Sequence, residues 1–158
     1  MNLAARRRTG AFSLIELVIV VVIIGIIGLI AIPRMSRGSA GAADSALTAN
    51  LAVLRNAIDL FQAEHDGTFP TEANIANQLT QYTNLAGAAQ ATKDTSFIYG
   101  PYLRAIPALP VGTKKGNNLI AAADAAGVGW IYDEAKGTIH ANLPVGEVDV
   151  RGVPYKDY

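Results

Sequence analysis

Two hydrophobic patterns follow one another along the first 65 residues. Over residues 14–32 the chain is apolar or glycine throughout, save for the charged Glu16. At about 1.5 Å per residue a helix of that length covers about 28 Å, close to the roughly 30 Å hydrocarbon core of a bilayer. Further on, Leu47, Leu51, Leu54, Ile58 and Phe61 recur at alternating spacings of four and three, while Asn50, Asn56, Asp59 and Gln62 fall elsewhere. That period places one apolar stripe on a helix facing a core. The intervening residues 35–43 are rich in Gly, Ser and Ala, but the periodicity beyond them favours one helix running from Phe12 to His65. Asp66-Gly67 supplies the stop.

The remaining pattern is shorter in range. Thr71 is expected to cap a short helix carrying Ile75, Leu79 and Tyr82. Residues 85–96 are small and polar and read as a surface loop. The prolines of the segment 100–107 exclude a central strand, leaving an extended stretch across a sheet. Residues 118–123, 130–132 and 138–141 read as strands, the last two joined by a hairpin loop over 133–137. Three antiparallel strands on the amphipathic half of the long helix make a small α+β head. Residues 144–158 hold Gly146, Gly152 and Pro154 with few large apolar groups, and read as an extended surface tail.

Charge turns the apolar run into a topology. Arg6, Arg7 and Arg8 precede it, as on a cytoplasmic flank, and outweigh Arg34 and Arg37 beyond it. The C-terminal part is therefore expected outside the cytoplasm. Formal net charge is zero, and removal of the three arginines would leave about −3, which excludes nucleic-acid binding by bulk charge. There is no cysteine, so an exported domain must hold together without disulfides. Glu16 is the costly residue. A carboxylate near the centre of a bilayer costs about 2.5–3.5 kcal/mol, less near its edge. Glu16 either snorkels to the headgroups or meets a cation within the membrane plane.

The residues Gly10-Ala11-Phe12-Ser13-Leu14-Ile15-Glu16, the apolar run and Pro33 resemble the start of type IV pilins and pseudopilins. In that family a short basic leader ends in a small residue. A Phe follows, with Glu four and Pro twenty-one positions after it, and Phe12, Glu16 and Pro33 meet these spacings. The resemblance implies leader removal by a prepilin peptidase, with N-methylation of Phe12. It implies too that Glu16 receives a neighbour's N-terminal amine during filament assembly. Ala11 stands where the family usually has Gly, so cleavage after Ala11 competes with cleavage after Gly10. Gly25, Gly28 and Ala31 offer small residues for close helix approach. Gly25 and Pro33 weaken the helix, which in such filaments unwinds between them or simply kinks. The segments 67–71 and 100–107, with the absence of cysteine, are similar to major pseudopilins of type II secretion. The domain plan is a leader over 1–11, a membrane and filament-core helix over 12–35, and a pilin-like head over 36–158.

Chemistry is otherwise sparse. His65, at the helix end, and His140, opposite Ile139 on a strand, read as solvated or capping groups. No nucleophile elbow, zinc motif or phosphate loop is present, and no catalytic residue is expected. Asp133 with Glu134, and Glu147 with Asp149, are the acids that could join a calcium ion. The resemblance raises that ion, since major pseudopilins carry one near the C-terminus, but the spacing fits no calcium loop; turns or a solvated face are the alternative, and no other cofactor is expected. Tyr155 and Tyr158 read either as partner contacts or as ordinary tail residues.

The sequence therefore describes a non-enzymatic subunit of a type II secretion pseudopilus, anchored once in the inner membrane with its head in the periplasm. Its partners would be copies of itself, other pseudopilins or pilins, the peptidase, an inner-membrane assembly platform and lipid. A type IV pilus subunit for adhesion, motility or DNA uptake is the alternative, and a membrane-anchored exported domain a distant one. A secretory signal cut near Ala40-Gly41-Ala42 fits less well, since the apolar run exceeds the usual 7–15 residues of such signals.

Overall fold

A computed structural model describes residues 12–158, with the backbone alone over 30–38. Gly10 and Ala11 lie outside the described residues, as do the side chains of Ala31 and Pro33. The architecture is α+β: one long helix, α1 (Leu14–Glu64), then a short helix and two small sheets. The chain divides into two compact units, Met1–Gly38 and Ser39–Tyr158. α1 contributes to both, and its backbone stays helical through Gly25 and Pro33.

In the second unit the stripe read from the sequence forms the core. Leu47, Leu51, Leu54, Ala57, Ile58 and Phe61 are all buried. Each fully buried Leu, Ile or Phe contributes about 1.5–3 kcal/mol relative to exposure. The helix ends where Asp66 takes a positive φ of 51° and Gly67 one of 78°. The following helix, α2 (Ile75–Thr80), starts later than expected. Asn74 flanks it without a side-chain cap, whereas the Thr71 amide and hydroxyl both donate to Gln78 Oε1. Tyr82 falls beyond α2, in β1 (Tyr82–Thr83), which pairs antiparallel with β2 (Ala89–Gln90). The supposed loop over 85–96 is thus partly a hairpin. The segment 100–107 carries no strand; the Tyr102 and Leu103 amides both donate to the Leu79 carbonyl at 3.0 and 2.9 Å.

The second sheet has the order β3 (Leu119–Ala121), β4 (Val128–Asp133), β5 (Thr138–Ala141). β4 and β5 form the expected antiparallel hairpin, with Asp133 opposite Thr138. β3 instead pairs parallel to β4. Parallel neighbours normally need a long crossover, but three residues advance only about 10 Å, and six connecting residues can reach about 20 Å. The loop 122–127 can therefore return the chain to the same end. Asn117 also passes so close to Gly129 that a Cβ there would strike its carbonyl. On β4, Trp130 and Tyr132 point into the core. Their polar ends are satisfied by the Pro107 carbonyl at 2.8 Å and the Pro70 carbonyl at 2.9 Å.

The expected surface tail folds back instead. Tyr155, in a final 3-10 turn (Tyr155–Asp157), and Asp149 are buried, and Val148 bridges Pro154. The segment closes through polar and aromatic contacts rather than aliphatic ones, so counting large apolar residues misread it.

Candidate functional site

The first candidate site is the start of α1. The Ser13 carbonyl accepts hydrogen bonds from the Glu16 and Leu17 amides at 3.1 and 3.2 Å, so the helix opens just after Phe12. Glu16 is exposed and sits at the third helical position. There a negative charge gains about 0.3–1 kcal/mol from the helix dipole at a surface. Ser13 and Glu16 three apart also have the residue types of a capping box, a local role that the sequence reading passed over. Glu16 therefore has a reason to be there within a single chain, besides any role towards a neighbour.

Around this start the helix has no inner side. Every Leu, Ile and Val from residue 14 to residue 29 is at least 46% exposed. An all-round apolar helix is one that belongs inside something else: lipid, or other helices. A Cβ added at Gly25 or Gly28 would meet nothing within 4 Å. Among the described residues these glycines therefore pack against nothing, and small residues of this kind permit close approach of another helix. Among the described residues no helix is long and apolar enough to cross a membrane. The apolar stretch with described side chains stops at residue 29, and the remainder of the expected span lies outside them.

Residues 6–32 match the family model of the prokaryotic N-terminal methylation motif. This segment is a class III signal. The motif supports a type IV pilin-like or pseudopilin chain in general, membrane-anchored, processed by a prepilin peptidase and assembled with other pilins. It covers Phe12 and Glu16 and ends one residue before Pro33. No curated protein and no solved structure matches the chain.

The second unit holds a denser polar cluster, at the folded-back segment. Asp44, buried on α1, accepts from the Tyr155 hydroxyl at 2.6 Å and from the Val150 amide at 3.0 Å. Asp149, also buried, accepts from the Arg151 and Val153 amides, the Arg151 guanidinium and the Tyr158 hydroxyl at 2.6–2.8 Å. Burial works against the Asp149 charge, but these donors together outweigh it and hold the carboxyl well below its usual range. Burial first, then the Asp44 carboxylate, raise the Tyr155 hydroxyl well above its own. Arg55 reaches across to the Ile139 and Tyr158 main-chain oxygens. Tyr155 and Tyr158 are therefore engaged inside the chain.

The calcium candidates are not brought together. Asp133 pairs with Lys136 at 2.8 Å, Glu134 accepts from the Glu72 amide, and Glu147 accepts from the Thr113 hydroxyl at 2.7 Å. Asp149 is occupied as described. Among the described residues no three His, Cys, Asp or Glu side chains gather as metal ligands. The histidines differ from each other. His140 is exposed on β5, as expected. His65 is buried, stacked on Phe61 at 3.7 Å between centroids. Its Nδ1 donates to the Phe61 carbonyl at 2.7 Å, and Nε2 lies 3.0 Å from Thr83 Oγ1. The sequence signal was available: His65 lies four residues past Phe61, on the buried stripe.

Proposed function

We propose that this chain is a structural subunit of a pilin-like filament, and more narrowly of a type II secretion pseudopilus. The observation carrying the reading is the methylation motif over residues 6–32, together with a helix whose apolar side chains over residues 14–29 are exposed on every side. Among the described residues nothing covers that surface. Before assembly the bilayer would cover it; afterwards neighbouring copies would. Cleavage before Phe12 would free an amine, and Glu16 of one copy would receive the amine of the next, an ion pair strongly favoured over two lone charges in a low dielectric. Fibre growth would then draw subunits from the inner membrane and push cargo outward. No group of the chain is assigned a catalytic role.

The absence of cysteine and the segment 100–107 favour the pseudopilus over a long type IV pilus. The test is to express the chain with its own assembly genes and image sheared surface fractions and periplasm. Fibres containing the chain, together with secretion lost on its deletion, are the expected result. Long surface fibres with secretion intact would instead assign a type IV pilus. Membrane protein that never assembles would leave only an anchored domain.

A further inference from the structure

Three side chains from separate parts of the head meet beside the end of β5. Lys114 lies on the loop 109–117, which is braced by its own main-chain bonds between Leu109 and Asn117, Leu109 and Gly116, and Gly112 and Lys115. Asp124 lies in the return from β3 to β4, and the buried Asn142 directly follows β5. Lys114 Nζ sits 2.6 Å from Asp124 Oδ1 and donates to Asn142 Oδ1 at 2.9 Å. Asn142 Nδ2 donates to the same Asp124 oxygen at 2.8 Å, and to the Val128 carbonyl at 2.9 Å. The carboxamide is therefore fixed with a lysine nitrogen against its carbonyl. One carboxylate oxygen touches both that nitrogen and the amide nitrogen.

An ion pair alone accounts for Lys114 and Asp124, at little gain in stability. It does not account for a buried carboxamide held between them. We propose that Lys114 Nζ and the Asn142 side-chain carbon Cγ become joined in an amide bond that the chain forms by itself, with Asp124 carrying the protons. Asp124 takes a proton from the ammonium and frees the lone pair that attacks Cγ. The Nζ–Cγ bond forms and the Cγ–Nδ2 bond breaks. The two protons lost by the lysine nitrogen leave with Nδ2 as ammonium, so the carboxylate is regenerated and no oxidant is needed. Both transfers lie within hydrogen-bond reach, and holding amine and amide together makes the step unimolecular. Lys114 first, then Asn142, hold the Asp124 carboxyl below its usual range. The ion pair is thus the resting state, and bond formation is slow at neutral pH and faster in mild alkali, where lysine amines begin to lose their proton. The product staples the loop 109–117 to the sheet in a chain without cysteine. It is independent of the filament reading.

Peptide mapping of the full-length chain tests this. Trypsin should release residues 105–115, uncut after Lys114, joined to residues 137–151. The joined species should weigh one ammonia less than the two peptides together, and its share should grow on incubation in mild alkali. Lys114→Arg keeps the ion pair but should give separate peptides only. Asp124→Ala keeps both reacting groups, yet should lower the joined share severalfold or more. An ion pair with no further role would change no mass. Separate peptides from the wild-type chain even after alkaline incubation overturn the bond, and an undiminished joined share in Asp124→Ala overturns the part given to Asp124.

Discussion

α1 is built on two different rules, and the contrast between its halves explains what each is for. Over residues 14–29 its apolar residues are exposed on all sides; after Ser39 most of the large ones are buried along one stripe, with Leu47, Leu54 and Ile58 fully inaccessible. The second half satisfies its hydrophobic surface within one chain, as a folded head must. The first half cannot, and its stability as a folded object depends on lipid or on other chains. Substitutions in the two halves should therefore fail in different assays.

The largest effect is expected in the head. Leu54→Asp puts a charge into the buried core to which Trp130 also belongs, at a cost of several kcal/mol, enough to unfold a small domain. A soluble chain beginning at Ser36 should melt cooperatively, and the same chain with Leu54→Asp should not, by circular dichroism. If the unsubstituted chain is already molten, the head does not fold without the first half of α1, and the contrast between the halves is overdrawn.

Glu16→Ala sharpens the other side. It should leave head melting and membrane level unchanged while fibre yield falls severalfold or more. Loss of a first-turn acid costs the helix only about 0.3–1 kcal/mol, too little to remove the protein from the membrane. Wild-type incorporation of the variant into fibres would reduce Glu16 to its local role after Ser13.

Within the head, Asp149→Asn should loosen the segment 147–157 more than the sheet. Amide exchange should rise there first, while protection of β4 and β5 holds. The pH dependence follows from the direction of the shift. A carboxyl held below its usual range stabilises the fold fully above the unfolded value of about 3.9. That contribution is lost as the pH falls below 3.9 towards the depressed folded value. The wild-type segment should thus gain exchange only in acid, and Asp149→Asn should flatten that response. A sheet that opens together with the segment would mean that the two form one cooperative core.

These regions also differ in how plainly the sequence displays them. The long helix, its buried stripe and the β4–β5 hairpin were legible because each repeats one period over many residues or sits between clear turn signals. The direction of β3 was not, since it depends on a six-residue return and a close backbone passage at Gly129 that no periodicity encodes. The C-terminal segment was misread because its inner side is polar. Asp44 is held by Tyr155, 111 residues away, and a hydrogen bond at that separation leaves no local mark; Asp149 has donors two and four residues on, in Arg151 and Val153, but an Asp in a turn gives no sign of being buried. His65 was legible in spacing but judged by residue type. At the methylation motif a short pattern was enough, because a few residue types at fixed spacings over residues 6–32 suffice for the match.

The smallest expected change is one residue at the N-terminus, and it decides the register of the first half. Cleavage after Gly10 would retain a glycine before the cut but begin the mature chain at Ala11. Glu16 would then stand one place further from the amine, a rotation of about 100° and a rise of about 1.5 Å on a helix. A carboxylate turned so far cannot meet an amine placed for the other register, and Pro33 shifts with it. Cleavage after Ala11 keeps both spacings and still offers the peptidase a small residue. The mature chain is therefore expected to begin at Phe12, with one methyl group on its amine, which near neutral pH remains charged. Intact mass of membrane-extracted protein distinguishes the two starts by one alanine and shows the methyl group directly. A chain beginning at Ala11 would detach Glu16 from the neighbour's amine, and one beginning at Ala43 would make the first half of α1 a discarded export signal rather than a working part of the protein.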